Sequence, residues 1–163
     1  MSEQMDLQAA MAEVRQQQEE LVFDSFDISA GVALGLRMLE IATERSLPVM
    51  ISVTHGAHSV FRAALPGSVP DYEHWLTRKS GAVLRFGVPS YLVQLQHEAR
   101  GERFEHRPDV DHAMIAAHGG AFPITVRGVG IIGTASVSGL LQRDDHLLAV
   151  EAIRDRLDAV RAG

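Results

Sequence analysis

The chain contains no cysteine, so disulfides, thiol catalysis and cysteine-held zinc or iron–sulfur centres are excluded. It also lacks a surplus of positive charge: 15 Lys and Arg stand against 21 Asp and Glu, a formal net charge of -6. Phosphate binding needs clustered cations, which argues against a general affinity for nucleic acid or for an anionic membrane surface. Long hydrophobic runs are missing too. The longest uncharged stretch, Gly128 to Leu141, is too short to span a bilayer and too rich in Gly and Ser. Met1 to Glu20 carries acids and glutamines instead of a basic patch followed by an apolar core, so no signal peptide is expected and a cytoplasmic location is the default. Repeats, linkers and low-complexity segments are absent from the pattern, and 163 residues suit one domain.

What is present reads as alternating helices and strands. Leu7, Met11, Val14 and Gln18 recur at helical spacing within Asp6–Glu20, and Leu21-Val22-Phe23 suits a short strand. Asp27 is placed to cap a second helix reaching Arg45, with Ile28, Val32, Leu36, Leu39 and Ala42 as its inward stripe. The small residues Ala30, Gly31, Ala33 and Gly35 suggest close packing of that helix on another backbone. The β-branched run Val49–Thr54 pairs as a hairpin with His58–Leu65 across His55-Gly56-Ala57. Asp71 is a plausible cap for a third helix, Tyr72 to about Phe86, and Ser90–Arg100 reads as helical again after Gly87-Val88-Pro89. A short helix over Asp109–Ala117 is expected before Gly119.

The stretch from Gly119 to His146 organises the rest. It reads as two β-runs folded back at Arg127-Gly128, then a turn at Ser138-Gly139 delivering the chain into a last helix from about Arg143 to Val160, with Leu147, Val150, Ile153 and Leu157 inward. Asp144, Asp145 and His146 then sit at a helix start, facing whatever lies beyond the strand ends. The sum is an α+β domain: a mostly antiparallel central sheet of about five strands flanked by helices.

Several marks along the chain carry a resemblance. They are Phe23 and Phe26 before the second helix, Pro66-Gly67, Trp75-Leu76-Thr77-Arg78-Lys79 with Phe86, His118-Gly119-Gly120-Ala121-Phe122-Pro123-Ile124, and Val137-Ser138-Gly139-Leu140 followed by Asp145-His146. In this order and spacing the chain resembles the haem-degrading-domain family, the GlcG/HbpS-like group, and within it the branch of uncharacterised bacterial and fungal proteins. The resemblance covers about residues 20–157. It implies a profilin-like fold, a homo-oligomer, and in some relatives haem binding or a part in redox and stress sensing; a fungal relative is linked to chaperone complexes. The chain departs from the family pattern at Tyr72, where relatives often have Asn, and at Pro89-Ser90, where they tend to have Ser-Ser. Haem-binding relatives place a His on the first helix, and Asp6–Glu20 has none.

His146, on the first turn of the last helix, would be held neutral by the helix dipole and could accept a hydrogen bond or bind a metal; alternatively it packs against a strand end. Trp75, Arg78 and Lys79 form an aromatic-plus-cation patch suited to a carboxylate or phosphate, or an anchor at a helix or subunit contact. Gly119-Gly120 could offer backbone N–H groups as an anion nest, or simply turn the chain. Between His97 and His118 lie His97, Glu98, Glu102, Glu105, His106, Asp109, Asp111, His112 and His118, without the spacing of a known ligand set, which reads as a charged surface. His55 and His58 read as turn-edge residues. Neither Ser136 nor Ser138 sits in a nucleophile elbow. The expected ligand-binding set is therefore Trp75, Arg78, Lys79, Gly119, Gly120, Ser138, Asp145 and His146, with no metal and no assigned catalytic residue. The expectation is binding of a small molecule or haem by a homo-oligomer, without turnover. The competing readings are a scaffold or chaperone-associated interaction protein, and a weak haem-degrading enzyme.

Overall fold

A computed structural model describes residues 2–163. The elements run α1 (Ser2–Glu20), β1 (Val22–Phe23), α2 (Ile28–Glu44), β2 (Met50–His55), β3 (His58–Ala64), α3 (Tyr72–Phe86), α4 (Ser90–Ala99), β4 (Ala121–Val126), β5 (Gly130–Ser138) and α5 (Gln142–Ala162). The five strands form one sheet in the order β1-β4-β5-β2-β3. All pairings are antiparallel except β1 on β4, which is parallel, so the sheet is mixed at one edge. The α+β class expected from the pattern holds. Among the described residues no helix is long and apolar enough to cross a membrane.

The two faces of the sheet differ because alternation along β2 and β5 separates two kinds of side chain. Ile51, Val53, Ala135 and Val137 face α2 and α5, joining Leu34, Met38, Ile41, Ala149 and Ile153 in the main core. The opposite face, under α3, carries hydroxyls. Thr54 Oγ1 lies 3.0 Å from Thr134 Oγ1, Thr134 donates to Ser80 of α3 at 3.1 Å, and Ser80 lies 2.6 Å from Ser136. A smaller, separate cluster of Met11, Val14, Leu92 and Leu95 joins α1 to α4.

Several local expectations are corrected. On α2 the buried positions are Gly31, Leu34, Gly35, Met38, Ile41 and Ala42, whereas Ile28, Val32 and Leu36 are exposed. The glycines explain the rotation: a Cβ at Gly35 would lie 2.1 Å from the Phe61 ring, so this small-residue face is the one that can sit on β3. Asp27 does cap α2, accepting from the Ala30 amide at 2.8 Å. Asp71 does not cap α3 with its side chain; its carboxylate accepts from the Trp75 indole N–H instead. On α1 the buried polar residue is Gln17, while Gln18 turns aside to donate to the Gly87 carbonyl. On α5 Leu148, and not Leu147, is the fully buried leucine of the second turn. Residues 109–117 form turns instead of a helix, preceded by a single 3-10 turn at Phe104–His106.

Candidate functional site

A cleft of about 260 Å3 opens where the start of α3 meets the turn joining β5 to α5. Tyr72, Trp75, Lys79, His118, Ser138 and Asp145 line it. Its floor is an ion pair. Lys79 Nζ donates to Asp145 Oδ2 and to the Val137 carbonyl, both at 3.0 Å, with the two side chains only 4% and 2% exposed. Asp145 also accepts the amides of Leu140 at 3.0 Å and Gly139 at 3.3 Å, so it fastens the turn ahead of its own helix. Burial pulls the Lys79 pKa down and pushes that of Asp145 up, each opposed by the partner's charge. Gly120 makes room for this pair: at φ +140°, a Cβ there would lie 2.3 Å from the Val137 carbonyl oxygen and 2.9 Å from Lys79 Nζ.

The cleft mouth is aromatic. The Trp75 ring meets the His118 imidazole edge-on, with centroids 4.8 Å apart. Burial first, and then the Lys79 charge, lower the pKa of His118, so its ring is neutral at physiological pH. Its Nε2 lies 4.0 Å from a Glu105 oxygen.

The expected site residues therefore separate. Trp75, Lys79, Ser138 and Asp145 converge on the cleft, and Gly119 and Gly120 form the strand entry behind it. Gly119 does not offer its amide as an anion nest, since that N–H donates to the Gln94 side chain at 3.2 Å. Arg78 turns away: its guanidinium lies 4.6 Å above the Trp75 ring, and its Nε donates to the His112 carbonyl at 2.9 Å. His146 is not on the cleft wall. One residue beyond Asp145 on a helix is a rotation of about 100°, which buries His146 at 1% exposure between Tyr91 and Phe122. Its Nε2 sits 2.7 Å from Gln17 Oε1 of α1, and its Nδ1 has no partner among the described residues. The His146 pKa falls to about 4, through burial first and then the nearby Arg143 charge.

Tyr72, His118, Leu140 and Gln142 line the cleft without having been expected there. The available signals were the helical spacing of Tyr72 to Trp75 and the adjacency of His118 to Gly119-Gly120. Among the described residues no group of three His, Asp or Glu side chains converges to hold a metal ion, and within 97–118 His97 is buried, not part of a charged surface. His55 and His58 face each other across the Gly56-Ala57 turn, with His55 Nε2 3.2 Å from the Phe26 carbonyl.

Comparison with known proteins agrees with this frame. The chain is 46% identical over 143 residues to a UPF0303 protein of Streptomyces coelicolor, covering 88% of this chain and 90% of that protein. The crystal structure of Ybr137w superposes with a TM-score of 0.82 at 27% identity, covering 92% of this chain and 89% of that one. A PduOC:haem complex shares the fold, with a TM-score of 0.64 at 18% identity, covering 82% of this chain and 94% of that chain. The family model described as "Haem degrading protein HbpS-like" matches residues 26–154. The chain belongs to the HbpS-like family.

Proposed function

We propose that the chain is a homo-oligomeric binding protein that holds a small polar molecule in the Trp75–Lys79–Ser138 cleft without transforming it. The observation that carries this reading is the Lys79–Asp145 pair, buried beneath an open cleft. Such a pair adds little stability compared with apolar residues of the same size. Placed under an indole and a neutral imidazole, it supplies a polar floor and an aromatic wall, the usual composition of a recognition site. Lys79 uses two of its three N–H protons within the chain, which leaves one for a ligand. Because Asp145 balances the lysine charge, the pocket suits a neutral or zwitterionic molecule better than the carboxylate or phosphate expected from the cations alone.

Haem does not fit this cleft on the single chain. Sites enclosing drug-sized ligands run upward from about 300 Å3, and a haem is larger than most such ligands, against about 260 Å3 here. Its carboxylates would find Lys79 committed to Asp145 and Arg78 committed to the His112 carbonyl. The buried ring nitrogens without partners among the described residues, His97 Nε2 and His146 Nδ1, belong to side chains that do not line this cleft, and His118 is the imidazole at its mouth. Self-association is supported by Ile28, Val32 and Leu36, which form an exposed apolar stripe along α2. The same stripe favours the second reading, an interaction protein whose partner covers α2.

Trp75 is the single tryptophan, so its emission reports on the cleft. Titration with a panel of amino acids, keto acids and sugars is expected to yield a saturable emission change that Ser138→Leu, which fills the cleft, removes. A stoichiometric Soret shift with haemin, together with no response to any small molecule, would overturn the proposal.

A further inference from the structure

A second cleft, of about 370 Å3, lies on the other side of His118, between the C-terminal end of α4 and the 102–106 segment. His97 is part of its wall and is 5% exposed. Its Nδ1 lies 2.8 Å from the carbonyl of Val93, one turn back on the same helix. A carbonyl only accepts, so Nδ1 carries a proton, and in the neutral ring Nε2 keeps the lone pair. That Nε2 has no hydrogen-bond partner among the described residues. A buried acceptor without a donor carries an uncompensated desolvation cost and asks for an explanation. The other buried orphan nitrogen, on His146, is enclosed in the core beneath α1; the His97 nitrogen belongs to a residue that borders open space.

The charge around this space has one sign in excess. Glu98, Glu102 and Glu105 line the cleft against Arg103 alone. Their carboxylates retain acceptor capacity: Glu98 takes one bond from Gln94, Glu102 one from Arg100, and Glu105 is 4.0 Å from His118 Nε2. The negative end of the α4 dipole points the same way. A metal ion is not the occupant these residues suit, since no three ligating side chains converge among the described residues. A cation bearing its own N–H donors meets both demands. Phe104, carried on the single 3-10 turn, stands edge-on to His97 at 5.1 Å, and because the Nε2 atom is itself buried a ligand reaches it only when this ring shifts.

We infer that this second cleft binds a protonated amine, one N–H donating to His97 Nε2 while the surrounding glutamates balance the charge. This is independent of the reading of the Trp75 cleft. The test uses the full chain, 15N-labelled, titrated with butylammonium and 1,4-diaminobutane while the His97 Nε2 resonance is followed by long-range 1H–15N correlation. Tetramethylammonium, which has the charge but no N–H donor, is the control. The expected result is a saturable upfield shift of Nε2 with both primary amines, and at least about tenfold weaker binding of tetramethylammonium. His97→Phe, which keeps the aromatic packing and removes the acceptor, should weaken the primary amines by at least about tenfold. If that variant does not fold, the wild-type spectra decide alone. An Nε2 resonance unmoved by either amine overturns the inference. So does equal binding of tetramethylammonium, which would reduce the cleft to general electrostatic attraction.

Discussion

Lys79 and Asp145 lie 3.0 Å apart in the interior, 66 residues distant in sequence, and together close the floor of the Trp75 cleft. Removing one partner leaves the other charge buried and alone. Asp145→Asn is expected to cost about 3 kcal/mol or more, whereas Lys79→Met combined with Asp145→Asn should recover part of that loss. Urea denaturation of the three proteins checks this. A single variant within about 1 kcal/mol of wild type would mean that water already solvates the pair.

His146 should make the protein acid-sensitive. Its folded pKa of about 4 lies below the ordinary value of 6.5, so the unfolded chain takes up a proton that the folded chain refuses. Its contribution is complete above about pH 6.5 and is lost as pH falls toward about 4. Between pH 7 and pH 4.5 this one group accounts for about 2 kcal/mol. His146→Gln should lose correspondingly less over the same interval, as measured by denaturant titration at both pH values.

Gly120 and Gly128 both have positive φ, +140° and +74°, yet only Gly120 is crowded. Gly128→Ala meets open space and should cost about 1 kcal/mol of backbone strain. Gly120→Ala adds a clash with the Val137 carbonyl and Lys79, and should cost at least about 2 kcal/mol more. Thermal melts of the two variants separate strain from crowding.

Arg78→Ala is expected to leave cleft affinity within about twofold of wild type, because the guanidinium points to His112 and not into the cleft. Hydrogen exchange in peptide 107–118 should accelerate, since that side chain ties the irregular segment to α3. A tenfold loss of affinity with unchanged exchange would place Arg78 back among the ligand contacts.

The elements of this fold were legible where one periodicity dominated. The β2–β3 and β4–β5 hairpins, the Asp27 cap and the break at Gly87–Pro89 follow from residue type and spacing alone. The face of α2 was legible only in part: Gly31 and Gly35 announced a close contact, but hydrophobicity pointed to Ile28, Val32 and Leu36, and the steric need for glycine opposite Phe61 decided the rotation. The site was legible in the same partial way. Trp75, Lys79, Ser138 and Asp145 sit in marked motifs and converge, but the step from Asp145 to His146 crosses from cleft to core, and adjacency in sequence hides that. Arg78 looked like a partner of Lys79; a long-range bond to a backbone carbonyl, which no local pattern announces, turned it elsewhere.

The hydroxyl row under α3 has a consequence for how the molecule breathes. The α2–α5 half is sealed by oily contact area, which resists water until it fails as a whole. On the Ser80 side, directed bonds join helix to sheet, and water can replace them one at a time. Trp75 and Lys79 ride on that helix, so exchange of these bonds for water would move the cleft wall without opening the greasy half.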